Sequence, residues 1–212
     1  MLHKVAFILG FIFYAGLAQA DPLRLLAFGD SLVQGYGLSQ EEGFVPQLEA
    51  RLQNEGYDIE VINAGVSGDT TAGGAARIDW ALAEPFDAIL ILLGGNDALR
   101  GLPPAQAKAN LGKIIAISQE KGLKVFLVGV QGPGNYGQAY QTEFDQIYSD
   151  LAHQFGVVVY SDIFAGISER VSGGDRLSLF MQADGIHPNG LGVGVNIEGL
   201  LPRLKALIES FL

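Results

Sequence analysis

Cysteine is absent from the 212-residue chain, which excludes disulfide scaffolds, thiolate zinc sites, lipid-modified cysteines and cysteine nucleophiles. Positive charge is scarce too. Thirteen Lys plus Arg stand against 23 Asp plus Glu, a net charge of -10 that opposes a broad basic surface for nucleic-acid phosphates. Histidine occurs three times, too rarely for a histidine-rich zinc site, and no metal or other cofactor is expected. Neither a Walker loop nor a Gly-x-Gly-x-x-Gly run follows an apolar segment, which disfavours a phosphate- or flavin-binding module. Charged residues are only 17% of the chain and hydrophobic ones 49%, enough apolar surface to bury a core rather than stay disordered.

The first twenty residues read as an export signal. Lys4 precedes the apolar run Val5 to Leu17, and Ala18-Gln19-Ala20 supplies a small-x-small cleavage pattern, so Asp21 is the expected mature N-terminus. The thirteen-residue run falls short of the about 18 needed for a spanning helix, although an uncleaved anchor stays open as an alternative. Residues 1–20 are therefore set apart as a signal peptide and residues 21–212 as one domain, exported to a bacterial-type periplasm or secreted, with no stable membrane anchor.

Five short aliphatic runs follow: Leu23 to Phe28, Ile59 to Ile62, Ala88 to Leu93, Val125 to Val130 and Val157 to Tyr160. They read as strands buried on both faces. Between them, Tyr140, Phe144, Ile147, Tyr148, Leu151 and Phe155 share one helical face, as do Leu111, Ile114, Ile115 and Ser118. Leu200 to Phe211 gives a terminal helix, Gly56, Gly122 and Gly156 stand where helices end, and Pro103-Pro104 suits a helix start. Strand starts recur at roughly 30 to 35 residues, the length of a strand-helix-strand unit, which predicts an α/β fold with a three-layer parallel sheet. In such sheets the crevice lies beyond the carboxyl ends of the strands, so the loops from Gly29, Asn63, Gly94 and Gln131 are expected to hold the chemistry.

Each loop alone has a plain structural role. Gly29-Asp30-Ser31-Leu32 is turn and helix-cap chemistry, Asp69 or Thr70 suits a helix cap, and Gly94-Gly95-Asn96-Asp97 is a common turn. Asp184-Gly185-Ile186-His187-Pro188-Asn189 places a carboxylate three residues from an imidazole, and His187 is the one histidine suited to be a base, since His3 leaves with the signal and His153 lies on a solvated helical stretch. Together these loops supply what acyl transfer requires. Ser31 attacks a carbonyl if His187 takes its proton, and Asp184 fixes the imidazole tautomer. The backbone N–H groups of Ser31 and Gly68 and the side-chain amide of Asn96 are candidate donors to the oxyanion.

The ordered Ser31, Gly68, Asn96 and His187 blocks resemble the SGNH hydrolases of the GDSL esterase and lipase superfamily, most of all the bacterial periplasmic thioesterase, lysophospholipase and arylesterase group. The resemblance covers essentially the whole chain after the signal. It implies a flavodoxin-like strand order 2-1-3-4-5, a Ser31-His187-Asp184 triad, an oxyanion hole of Ser31, Gly68 and Asn96, and substrate contacts from Tyr136 and Ile186. It also implies small-molecule ester or lipid-like substrates: aryl esters, short to medium acyl esters, lysophospholipids and acyl thioesters. Gly65-Val66 and Leu191-Gly192-Val193-Gly194-Val195 depart from the group's pattern and are expected to border the acyl groove. Arg77 and Arg100 are candidates for a local positive patch. Lack of a Gly-x-Ser-x-Gly elbow disfavours an α/β-hydrolase, while an exported carbohydrate O-acetylesterase on the same fold remains the nearest alternative.

Overall fold

The computed structural model describes residues 21–211; residues 1–20, where the signal peptide and its alternative anchor are placed, and Leu212 lie outside the described residues. Five parallel strands form one sheet in the order β2-β1-β3-β4-β5: β1 (Leu23–Gly29), β2 (Ile59–Gly65), β3 (Ala88–Leu92), β4 (Lys124–Val128) and β5 (Val158–Tyr160). The helices between and after them are α1 (Ser31–Gln34), α2 (Phe44–Asn54), α3 (Thr71–Ala81), α4 (Gly95–Leu99), α5 (Pro104–Glu120), α6 (Gln138–Phe155), α7 (Ala165–Ser172) and α8 (Gly190–Glu209). Helices α3, α5 and α6 pack in series as one layer, while α2 and α8 pack together as another. This is the three-layer α/β/α architecture with flavodoxin-like strand order.

The apolar runs pair as the parallel sheet requires. All five residues of β3 are buried because strands lie on both sides of it and helices cover both faces. Truncating one of its fully buried aliphatics, such as Ile89, to alanine costs about 2–5 kcal/mol. Burial on both faces does not extend to the outer strands. Strand β5 is only half-buried, and β2 alternates between buried and exposed toward its start, because each is an edge.

Helix α6 buries Phe144, Ile147, Tyr148 and Leu151 along one face, and α5 buries Leu111, Ile114, Ile115 and Ser118, whose hydroxyl donates to the Ile114 carbonyl four residues back. Pro104 opens α5, while Gly56, Gly122 and Gly156 follow α2, α5 and α6 with φ of 93°, 84° and 64°. In α8, Leu200, Leu201, Leu204, Leu207 and Ile208 are buried, and Phe211 falls just past the helix end.

Candidate active site

The carboxyl ends of the strands converge on one crevice. Strand β1 is flanked by β2 and β3, and its last residue, Gly29, leads directly into Asp30 and Ser31. Asp30 caps α1: its Oδ1 accepts the Leu32 N–H at 3.0 Å, and its Oδ2 lies 3.4 Å from the Asn96 amide nitrogen. Its side chain is only 2% exposed, and that burial pushes the carboxyl up to about 6. Ser31 is the first residue of α1, where a backbone N–H has no acceptor within the helix and so points outward.

The partner loop precedes α8. Asp184 Oδ1 accepts the backbone N–H groups of Ile186 and His187 at 2.9 and 3.0 Å, leaving Oδ2 to meet His187 Nδ1 at 2.7 Å. The imidazole, followed by its two amides, holds the Asp184 carboxyl down at about 2. With Nδ1 committed to a carboxylate, Nε2 carries the lone pair, and it stands 2.9 Å from Ser31 Oγ. Tyr36 packs a tilted ring against the imidazole, with centroids 4.8 Å apart. Gln182 ties the two loops: its amide nitrogen donates to the Tyr36 and Pro188 carbonyls, and its backbone N–H to the His187 carbonyl.

Donors for a developing negative charge come from the loops after β2 and β3. Gly68 has φ +81°, a conformation that side-chain-bearing residues rarely adopt, and its carbonyl accepts Arg100 Nη2 at 2.9 Å. Gly94 has φ +122°, and a Cβ there would strike the hydroxyl of buried Tyr148, which donates to the Leu93 carbonyl. Beyond it, Asp97 is buried and receives both the backbone N–H and the hydroxyl of Thr71 at 2.8 and 2.7 Å. That pair of hydrogen bonds locks the Asn96 loop to the start of α3, and thereby fixes Gly68 relative to Asn96. The Asn96 amide carries two N–H groups; one faces Asp30, leaving the other for a ligand.

These groups open onto a cavity of about 680 Å³, whose walls include Leu32, Leu99, Val130, Phe164, Ile167 and Met181. Ser31, Gly68, Asn96, Ile186 and His187 all line it, and Asp184 stands behind the imidazole. Tyr136 does not line it. Its hydroxyl donates to the Leu99 carbonyl and its ring closes over Gly101, so it braces the wall from outside. The Leu191 to Val195 segment does not border the cavity either: after Asn189 caps α8, residues 192–195 are buried within the first turns of that helix. Arg77 is no free cation, since it pairs with Asp69 at 2.7 Å, donates to the Ala64 and Gly29 carbonyls and stacks over Phe28. Sequence reasoning missed Tyr36, Gln182 and Asp162 at this site. Their signals were long-range, as none belongs to a short motif.

Comparison with known proteins gives the family of the chain. Residues 27–194 match the model of the GDSL-like lipase/acylhydrolase family. The chain is 41% identical over 191 residues to the esterase TesA of Pseudomonas aeruginosa, covering 90% of this chain and 92% of that protein. It is 34% identical over 173 residues to the thioesterase 1/protease 1/lysophospholipase L1 of Escherichia coli K12, covering 81% and 77%. The crystal structure of TesA superposes with a TM-score of 0.79 at 41% identity, covering 87% of this chain and 99% of that one.

Proposed function

Because the chain belongs to the GDSL-like lipase/acylhydrolase family and is an ester hydrolase, we propose that Ser31, His187 and Asp184 carry the reaction as nucleophile, general base and orienting carboxylate. The observation that carries this reading is the unbroken series Asp184 Oδ2, His187 Nδ1, His187 Nε2, Ser31 Oγ, with links of 2.7 and 2.9 Å, at the mouth of an apolar cavity. Ser31 Oγ attacks the ester carbonyl as His187 Nε2 takes its proton. Negative charge then develops on the carbonyl oxygen, toward the N–H groups of Ser31 and Gly68 and the Asn96 amide. Collapse breaks the ester bond; His187 returns the proton to the departing alcohol or thiol, and the acyl group stays on Ser31. Water, deprotonated by the same imidazole, releases the acid and restores Ser31.

The apolar walls suit an acyl chain or an aryl leaving group more than an acetylated sugar, whose many hydroxyls would lose water there without partners. Aryl esters, short to medium acyl esters, acyl thioesters and lysophospholipids are the proposed substrates. Ile186 lines the cavity and contacts the bound chain directly, whereas Tyr136 acts through Leu99 at the rim. We place residues 21–212 in one hydrolase domain released by cleavage before Asp21 into an exported compartment. Among the described residues, no helix is long and apolar enough to cross a membrane.

The test is covalent labelling with a fluorophosphonate followed by mapping of the modified peptide. Modification of Ser31, blocked in step with loss of p-nitrophenyl ester hydrolysis, is the expected result. A labelled residue other than Ser31, or full hydrolysis by the labelled protein, overturns the assignment.

A further inference from the structure

The cavity is not apolar from end to end. Ser31 follows β1, Asn96 follows β3, Val130 follows β4 and Asp162 follows β5, and all four line the same space. Because β1, β3, β4 and β5 are successive neighbours, the cavity runs across the sheet. Three strand spacings separate its two ends, roughly 14 Å. A carboxylate thus stands at the far end of the pocket, among the largely apolar Val130, Phe164, Ile167 and Met181 and the neutral polar Gln131 and Ser168.

That carboxylate has one local partner. Asp162 Oδ1 accepts the Phe164 N–H at 2.9 Å, the turn that leads into α7, and Asp162 forms no ion pair among the described residues. The charged group nearest to it in influence is a second acid, Asp145 on α6, which receives the Gly132 N–H from beneath the β4 loop. Partial burial, opposed by the Phe164 N–H and reinforced by Asp145, raises the Asp162 carboxyl above its ordinary range. The far end of the cavity therefore carries a negative group with no cationic partner among the described residues, only neutral donors such as Gln131 and Ser168 on the same wall, and a plain hydrocarbon end there would displace water from the carboxylate without replacing its hydrogen bonds.

Resting on the esterase reading above, we propose that Asp162 is a specificity-determining residue that selects acyl chains bearing a hydrogen-bond donor at their far end, an ammonium ahead of a hydroxyl. The chemistry at Ser31 is unchanged by this choice. The donor end anchors on Asp162 while the ester lies at Ser31, so chain length and polarity are read together.

The experiment compares kcat/KM for p-nitrophenyl esters of matched series from butanoyl to octanoyl, ending in methyl, hydroxyl or ammonium, in the wild-type protein and in Asp162→Asn. Asparagine keeps the oxygen that accepts the Phe164 N–H and removes the charge, so the turn into α7 retains its bond. At one chain length the ammonium ester is expected to exceed its methyl counterpart, and Asp162→Asn is expected to lower that ratio about tenfold, with a smaller fall for the hydroxyl series. Asp162→Ser serves as a second variant that preserves a turn acceptor. Inhibition of the wild-type enzyme by straight-chain alkylammonium ions against alkanols of equal length reads the same preference without any variant. Ratios that do not change in either variant, together with equal inhibition by the two inhibitor classes, overturn the inference. Failure to hydrolyse any ester of the three series overturns the esterase reading instead.

Discussion

Asp30 and Asp184 each lie within three residues of a reacting side chain, yet the two regions that hold them are built in opposite ways. Asp30 sits in the turn after β1, closed off between strands and helices, and burial holds its carboxyl up at about 6. Asp184 sits in an exposed loop, where one imidazole and two amides hold its carboxyl down at about 2. The first carboxyl organises backbone and amide donors around Ser31 through packing. The second is committed to ionisation and organises His187 through hydrogen bonds made within four consecutive residues. Position in the fold, not residue type, decides whether a carboxylate near a nucleophile orients donors or polarises a base.

Substitutions that strike one region and spare the other sharpen that contrast. Ser31→Ala and His187→Ala are expected to cost about 10⁶-fold in kcat each, and the double variant no more than either alone, because the two act as one unit. Steady-state kinetics with a p-nitrophenyl ester checks this, and additive losses would mean that the turn and the loop act independently. Asp184→Asn leaves the loop able to accept the Ile186 and His187 N–H groups but offers no full charge to Nδ1, and a fall of about 10⁴-fold in kcat is expected. Asn96→Ala removes one donor on the Ser31 side and is expected to lower kcat by about 10²- to 10³-fold, with little change in KM. A change confined to KM would assign Asn96 to ground-state binding.

The smallest effect expected is on stability, through Asp30. Its native carboxyl binds a proton more tightly than an unfolded aspartate does, so its contribution is fully present below about 4 and is lost as pH rises through about 6. Wild-type protein should therefore lose at most about 3 kcal/mol across that window relative to Asp30→Asn, read from denaturant unfolding at a series of pH values. Asp184 has the reverse sign. Its contribution is present above about 4 and disappears only as pH falls through about 2, so Asp184→Asn should not change the slope between 4 and 6. Parallel curves for wild type and Asp30→Asn would break the contrast between the two regions.

Much of this was legible in the chain because it is local. The five aliphatic runs, the α6 face from Phe144 to Leu151 and the Pro104 helix start follow from periodicity and backbone chemistry. Asp184 and His187 are three residues apart, and their loop closes on itself, so their pairing was readable too. What escaped depends on distant packing. Arg77 became a half-buried partner of Asp69 eight residues away, on a helix whose exposed and buried faces its neighbourhood does not announce. The edge positions of β2 and β5 follow from strand order, so half-buried strands looked like interior ones. Tyr136 belongs to a recognisable loop, yet only the fold puts it behind Leu99 rather than in the cavity.

The shortness of β5 bears on where the chain tolerates change. Seven residue pairs join β1 to β2, whereas only three join β5 to β4 at the margin of the sheet. The sheet therefore holds the β1 end, beside Ser31, by more ladder pairs than the β5 margin, where Ile163 and Ile167 supply the anchoring by burial instead. A library randomised at the cavity-lining positions of that margin, Asp162, Phe164 and Ser168, is expected to keep more turnover than one randomised around Ser31.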